Sequence, residues 1–257
     1  MTTDALFANI KRDRARFAAA AERIDAQPEA IFFDMDGTIL DWQTGMEESW
    51  LAACEAHCDG SYVATELVSA IYARRTWYWA DHERARAGRM DIDETSRQIV
   101  RYAFEDHGLP ESDLAHRIAD SYRALRFAGI VPYPGAIETL EVLRQRGVRL
   151  ALLTNGAARD QRRSVEMHGL EPYFDCIVIA GEFGAGKPDE RVFRHAMQSL
   201  SCSADATWMI GDDLEADIAP AIALGMHTVW VDVAGDGLPE GVDIRPHRII
   251  RAISELL

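Results

Sequence analysis

The amino-acid sequence predicts an α/β fold: a parallel β-sheet core with helices on both faces, plus an inserted all-α subdomain. In the second half of the chain, short apolar runs alternate with helical segments of roughly 10–15 residues, a pattern typical of βαβ units with right-handed crossovers. Residues 42–128, in contrast, show helical periodicity and contain no convincing strand. Together these observations predict a sheet domain that carries a helical insertion.

The chain begins with a predicted helix and a first predicted strand. Residues 4–24 place apolar side chains near one face of a helix, and Pro28 ends that helix. Ala30–Phe33 is a continuous apolar run that is closed by Asp34 and a turn at Gly37. A short apolar run that ends in polar residues is the pattern of a buried strand in a parallel sheet.

The second half of the chain continues with helices and strands in regular alternation. The spacing of apolar residues predicts helices at 135–146, 158–168, 189–200 and about 215–224. Apolar runs bounded by turn residues predict strands at 148–153, 176–180, 206–210 and 227–231. Strands that alternate with helices in this way pair in parallel within one sheet.

The helical block is predicted to form a cap subdomain inserted just after the first strand. Gly129 and the Pro- and Gly-containing segment 132–135 provide a return hinge. The predicted organisation is therefore an N-terminal helical extension at 1–28, a core made of 29–41 and 129–257, and an α-helical cap at 42–128.

Composition and charge limit the classes of partner. The 257 residues include 42 acidic and 27 basic side chains, which gives a formal net charge of −15. Such a surface repels nucleic acid, so we expect no nucleic-acid partner. No apolar run approaches the roughly 18–20 residues that cross a bilayer, so we expect no membrane partner. Acidic residues near the N-terminus disfavour a transit peptide, which leaves the cytoplasm as the expected location.

Small, polar or charged residues follow four of the predicted strands. The groups are Asp34-Met35-Asp36-Gly37-Thr38, Thr154-Asn155-Gly156, Gly186-Lys187-Pro188 and Gly211-Asp212-Asp213. Because ligands bind beyond the carboxyl ends of the strands in open α/β sheets, we expect these groups to form one site. Carboxylates suit Mg²⁺, while a lysine, a threonine hydroxyl and backbone N–H groups suit phosphoryl oxygens. This combination predicts phosphoryl transfer.

In this order, the four motifs resemble those of the haloacid dehalogenase (HAD) superfamily. Within it, the chain looks like the phosphatases that carry an α-helical, C1-type cap after the first strand. The motifs read DMDGT at 34–38, TNG at 154–156, GKPD at 186–189 and GDDLEAD at 211–217. The resemblance covers about residues 29–41 and 129–235, and it implies a Rossmann-like core.

The resemblance also implies catalytic roles. Asp34 would attack phosphorus to form an aspartyl-phosphate, and Asp36 would protonate the leaving oxygen and then activate a water molecule. Thr154 and the neighbouring Asn155-Gly156 amides would bind the phosphoryl group. Lys187 would bridge that group and the Asp34 carboxylate.

The resemblance places Mg²⁺ between Asp34, Asp212 and the backbone carbonyl of Asp36. Three further residues are expected around this site: Asp217, Asp213 and Thr38. Asp217 would support the water molecules of the metal or Lys187. Asp213 falls at a position that varies in the family, and its place as an acid at a helix start favours a structural role, an interaction with the helix dipole.

The cap has a basic segment at residues 72–101, with seven arginines and five acidic residues. An arginine that faces the cleft would hold an anionic substrate, which makes Arg74, Arg75 and Trp79 the candidate substrate contacts. The alternative is a solvated helix face with i,i+4 ion pairs, and tryptophans that pack inside the cap.

The sequence thus predicts an Mg²⁺-dependent phosphatase that acts on a small-molecule phosphate ester as a monomer or homodimer. A sugar phosphomutase would keep every core residue found here. A 2-haloacid dehalogenase uses a similar nucleophile but needs no acid at the position of Asp36. A non-catalytic binding protein is the alternative from a different class.

Overall fold

The structure is a computed structural model that describes residues 28–110 and 113–257, without the side chain of His82. The helix predicted at 4–24 lies outside the described residues. The strands are β1 (Ala30–Phe33), β2 (Leu40–Asp41), β3 (Val131–Pro132), β4 (Arg149–Thr154), β5 (Cys176–Ile179), β6 (Thr207–Gly211), β7 (His227–Val231) and β8 (Arg248–Ile250).

The helices fall into two groups along the chain. Between β2 and β3 lie α1 (Met46–Ala56), α2 (Ala64–Trp79), α3 (His82–Gly88), α4 (Ile92–Asp106) and α5 (Asp113–Gly129). After β3 lie α6 (Ala136–Gln145), α7 (Ala158–Met167), α8 (Ala180–Phe183), α9 (Glu190–Leu200) and α10 (Ala219–Leu224). None of the helices in the described part of the chain combines the length and apolar character that a membrane-spanning helix requires.

Six strands form one parallel sheet in the order β5-β4-β1-β6-β7-β8. β1 lies in the middle, where Phe33 pairs with Leu152 of β4 and Ile210 of β6. Because the strands are parallel, the residues that follow β1, β4 and β6 emerge side by side at one edge. The strand order changes direction at this point, which is where open α/β sheets bind ligands. The predicted fold class is confirmed.

The sheet is buried on both faces, which explains its continuous apolar strands. Ile31 and Phe33 of β1 pack with Leu140 of α6 on one face. Phe32 packs with Phe193 of α9 on the other face. Each fully buried side chain of this size contributes about 1.5–3 kcal/mol relative to an exposed one.

The five helices between β2 and β3, residues 46–129, have a hydrophobic core of their own; we call this segment the helical insert. In that core Trp50 stacks on Tyr122 with ring centroids 3.5 Å apart and ring planes at 8°. β2 and β3 pair as a two-stranded antiparallel sheet, so the chain enters and leaves the helical insert at adjacent points.

Several short elements differ from the prediction. β2, β3, β8 and α8 were not predicted, because two to four residues are too few to show a periodic pattern. The predicted helix at 215–224 is a π-helical turn, Leu214–Ile218, followed by α10. Pro220 lies in the first turn of α10 and has no N–H to continue a regular helix from the preceding turn.

Candidate active site

The predicted site residues meet at the carboxyl edge of the sheet. Asp34 follows β1, Thr154 ends β4, and Asp212 follows β6. All three line a cavity of about 390 Å³ between this edge and the helical insert, together with Asp36 and Lys187. The topology therefore brings together groups that lie far apart in the sequence.

Lys187 forms the centre of a buried ion-pair network. Its Nζ lies 2.6 Å from Asp34 Oδ1 and 2.6 Å from Asp217 Oδ1, and its side chain is only 3% exposed. Burial lowers the pKa of Lys187, but the carboxylates of Asp217 and Asp34 raise it by more, so the net shift is upward. The lysine is therefore a permanent cation that holds Asp34 in place.

Three carboxylates surround this lysine and could hold a metal ion. Oxygen atoms of Asp34, Asp212 and Asp217 all lie within 4.8 Å of one another. Burial, followed by the charge of Asp34, raises the pKa of Asp212 far above its usual range. With all three carboxylates ionised, Lys187 offsets one charge and two negative charges remain. A divalent cation with a preference for hard oxygen ligands matches both this charge and this donor set.

Two glycines make room for the carboxylates. A Cβ atom at Gly37 would lie 2.2 Å from Asp212 Oδ2, and a Cβ atom at Gly211 would lie 2.2 Å from Asp217 Oδ2. Gly37 also has a φ of +90°, a conformation that side chains other than glycine rarely adopt. The turn after β1 can therefore approach Asp212 closely only because position 37 has no side chain.

Gln161 is a site residue that the sequence interpretation missed. From α7, its Nε2 donates to Asp36 Oδ2 at 3.2 Å, and its Oε1 accepts from the Thr154 hydroxyl at 3.0 Å. Burial and the neighbouring Asp34 raise the pKa of Asp36 to about 6, although the Gln161 hydrogen bond and the charge of Lys187 lower it. The signal available in the sequence was only a polar residue seven positions after Thr154, near the start of a helix.

Comparison with known proteins gives the family. The model of the haloacid dehalogenase-like hydrolases matches residues 28–225. The chain belongs to the haloacid dehalogenase-like hydrolases. N-acylneuraminate-9-phosphatase of Rattus norvegicus is 36% identical over 247 residues, which cover 88% of this chain and 91% of the relative. Phosphoserine phosphatase of Thermus thermophilus is 31% identical over 210 residues, which cover 82% of this chain and 74% of the relative.

A solved structure supports the same assignment. The HAD-hydrolase YfnB from Bacillus subtilis, bound to magnesium, aligns with a TM-score of 0.71 and 26% sequence identity over 90% of this chain and 97% of that chain. This chain is therefore a HAD-like hydrolase, and its named relatives above are phosphatases.

In this HAD-like hydrolase, Asn155 connects two of the four motifs. Its Nδ2 donates to the backbone carbonyl of Lys187 at 2.9 Å. A Cβ atom at Gly186 would lie 2.5 Å from Asn155 Oδ1, so the glycine lets the loop pass close to the amide. The side chain of Asn155 thus holds the loop that carries Lys187, while Gly156 turns the backbone away from β4 with a φ of +130°.

Asp213 and Thr38 lie around the site. Asp213 caps the π-helical turn, because its Oδ1 accepts from the N–H groups of Glu215 and Ala216 at 2.9 Å each. This contact matches the structural alternative for an acid at a helix start. Thr38 is buried, and its hydroxyl has no hydrogen-bond partner among the residues that the structure describes.

Of the three candidate substrate contacts in the cap, the structure places two at the cavity and one away from it. Arg75 and Trp79 line the cavity. Arg74 does not; its Nε and Nη2 both donate to the carboxylate of Asp106 on the outside of the helical insert. Two adjacent residues of α2 thus face different surroundings.

Proposed function

We propose that this HAD-like hydrolase is an Mg²⁺-dependent phosphatase that hydrolyses a small phosphomonoester through an aspartyl-phosphate on Asp34. The observation that carries this proposal is the buried Asp34–Lys187–Asp217 network at the base of a cavity that Thr154 and Asp36 also line. A fixed carboxylate nucleophile, a permanent cation and a separate acid are the groups that phosphoryl transfer needs.

Binding of the phosphoryl group uses Lys187, the Thr154 hydroxyl and the backbone N–H groups of residues 155–156. Lys187 reduces the electrostatic repulsion between the anionic phosphoryl group and the carboxylate of Asp34 as the two approach each other. Because its Nζ donates to Asp34 Oδ1, the lysine also fixes the orientation of this carboxylate. An ionised carboxylate is the form that attacks phosphorus, and attack breaks the bond to the leaving oxygen.

Asp36 serves as the acid and then as the base. Since Gln161 Nε2 donates to Oδ2 of Asp36, the proton of the neutral carboxyl group belongs on Oδ1. That proton goes to the leaving oxygen in the first step. In the second step the resulting carboxylate removes a proton from the water molecule that attacks the aspartyl-phosphate. A pKa raised to about 6 suits a group that must both give and take a proton.

The metal site of the proposal consists of Asp34, Asp212 and the backbone carbonyl of Asp36, with Asp217 close by. When bound, Mg²⁺ would neutralise charge on the phosphoryl oxygens. The buried acidic cluster, which keeps two uncompensated charges when all three carboxylates are ionised, fits such a cation. Localisation in the cytoplasm and a monomeric or homodimeric state remain predictions from the sequence.

The first experiment measures hydrolysis of p-nitrophenyl phosphate with and without Mg²⁺, in wild type and in Asp34→Asn. We expect phosphate release that requires Mg²⁺ and falls to background in the variant. Asp243→Asn, the same chemical change at an exposed residue, is the matched control and should hydrolyse at the wild-type rate.

The same samples separate the alternative functions. A phosphomutase would rearrange a sugar phosphate without releasing phosphate, and a dehalogenase would release halide from a 2-haloacid. If a folded, Mg²⁺-loaded wild type hydrolysed no member of a broad panel of phosphate esters, the proposed function would be wrong.

A further inference from the structure

The cavity has two electrostatically different sides. The sheet side carries the aspartates and Lys187. On the side of the helical insert, every charged residue that lines the cavity within the described ranges is an arginine: Arg75, Arg89, Arg123 and Arg126. In a chain with a net charge of −15, a cavity wall with only basic charges calls for a structural or functional reason.

Two of these arginines have structural partners. Arg126 is buried, and its guanidinium donates to the backbone carbonyls of Trp42 and Thr44, where the chain enters the helical insert. Arg123 Nε lies 3.0 Å from Asp93 Oδ1. The charge of Arg123 is therefore offset by a carboxylate, and the guanidinium N–H groups of Arg126 are occupied at the junction of the helical insert with the core.

Of the other two, Arg89 is exposed, whereas Arg75 has a more enclosed environment. It is half-buried, its Nη1 lies 2.6 Å from Met46 Sδ, and its Cζ lies 5.6 Å from the centroid of the Tyr72 ring. No carboxylate in residues 28–110 or 113–257 forms an ion pair with it. Arg97, in contrast, lies on the solvent side of the helical insert and pairs with Asp120 at 2.8 Å. A half-buried guanidinium without an anion on a cavity wall is suited to bind one.

Trp50 provides a second, independent observation. Its side chain is 1% exposed, stacks on Tyr122 and lines the same cavity. Its indole N–H has no acceptor among the described residues. A buried N–H group without an acceptor destabilises a protein, and buried tryptophans usually find one. An oxygen atom of a ligand in the cavity would satisfy it.

We propose that the insert side of the cavity binds a second anionic group of the substrate, a carboxylate or phosphate distinct from the phosphoryl group that is transferred. Arg75 pairs with this group and Trp50 donates an additional hydrogen bond. The assignment rests on the proposed phosphatase function, which places the transferred phosphoryl group at Thr154 and Lys187 on the opposite side. A cavity of about 390 Å³ is in the range that encloses small organic ligands, so it can hold both groups at once.

The test compares phosphorylated hydroxy acids of increasing chain length with their neutral carboxamides. The members of each pair differ in charge and hardly in shape, so the ratio of their kcat/KM values reports recognition of the anion. One arginine–carboxylate contact predicts a wild-type preference for the acid of about tenfold to hundredfold at the chain length that fits. Arg75→Ala should reduce this ratio to near unity, mainly through a higher KM for the acid.

Arg97→Ala is the matched control, because it removes the same charge from a paired arginine outside the cavity; it should keep the preference. If Arg75→Ala does not fold, Arg75→Met, which keeps most of the aliphatic stem, replaces it. Alkanediol bisphosphates in the same assay show whether the second anion is a phosphate, since they would then replace the carboxylates as preferred substrates.

Three results would overturn this inference: no preference for any second anion in the wild type, a preference that survives in the Arg75 variant, or a preference that Arg97→Ala also abolishes. Absence of all phosphate release by the wild type would instead overturn the proposed function. The two failures are thus distinguishable in one data set.

Discussion

Replacement of Gln161 tests how the site positions its acid. The amide of Gln161 joins Asp36 to Thr154 through bonds of 3.2 and 3.0 Å. Alanine at position 161 removes both contacts but leaves the nucleophile and its lysine in place. Gly156 leaves room for the amide of Gln161, because a Cβ atom at position 156 would lie 2.9 Å from Gln161 Nε2.

The expected magnitude follows from the two hydrogen bonds. A bond to a charged group contributes about 1.5–3 kcal/mol, and one between neutral groups about 0.5–1.5 kcal/mol. Part of this free energy serves to orient Asp36 in the transition state, and about 1.4 kcal/mol corresponds to a factor of ten in rate. Gln161→Ala should therefore lower kcat/KM by roughly tenfold to hundredfold where proton donation limits the reaction.

The assay uses two leaving groups. An alkyl phosphate needs a proton on its leaving oxygen, whereas p-nitrophenolate leaves readily without one. The loss in Gln161→Ala should therefore be much larger for the alkyl phosphate. Gln145→Ala, which removes the same amide from an exposed position on α6, should change neither value. Equal losses on both substrates, or no loss at all, would refute the positioning role.

Three further predictions concern stability and metal binding. Lys187→Met should lower the free energy of unfolding by about 3–5 kcal/mol, measured by urea titration, because it leaves two buried carboxylates unpaired; a loss below 1 kcal/mol would contradict the ion-pair account. Gly37→Ala should raise the Mg²⁺ concentration needed for half-maximal activity at least about tenfold, since its Cβ would displace Asp212; an unchanged Mg²⁺ dependence would argue against this metal site. Burial and a neighbouring histidine lower the pKa of His247, whose Nδ1 accepts from the Thr228 N–H. As the pH falls, the unfolded chain therefore binds a proton at His247 before the folded chain does. The free energy of unfolding should then decrease as the pH drops below about 6.5, and His247→Gln should flatten this dependence.

The long helices and the buried strands could be predicted because each contains enough residues to show its pattern of apolar side chains. The buried strand Ala30–Phe33 is apolar throughout, and the polar residues that follow the strands could be placed at one edge by the parallel topology alone. β2 and β3 are pairs of residues whose antiparallel contact depends on the whole helical insert between them. No local pattern encodes such a contact.

Arg74 and Arg75 show a second limit of sequence interpretation. Neighbouring residues on a helix point about 100° apart, so one faces the cavity while the other pairs with Asp106. To choose between them, the buried face of α2 must be known. The adjacent aromatic residues Trp77 to Trp79 obscure it, since Trp77 is 44% exposed and Tyr78 is buried.

Gln161 illustrates the same limit for the site itself. The strand-end motifs could be recognised from their order, but the contribution of α7 depends on how that helix packs on the sheet. Its amide reaches Asp36 across 125 positions of sequence. A polar residue near a helix start is common, so only the three-dimensional contact identifies it.

The most direct test of the account is the stereochemical course of hydrolysis at phosphorus. A phosphomonoester made chiral with the stable isotopes of oxygen would be hydrolysed by the wild type and the configuration of the released phosphate determined. Two successive displacements, first by Asp34 and then by water, predict net retention. Net inversion would mean a single direct attack by water and would contradict the aspartyl-phosphate on Asp34.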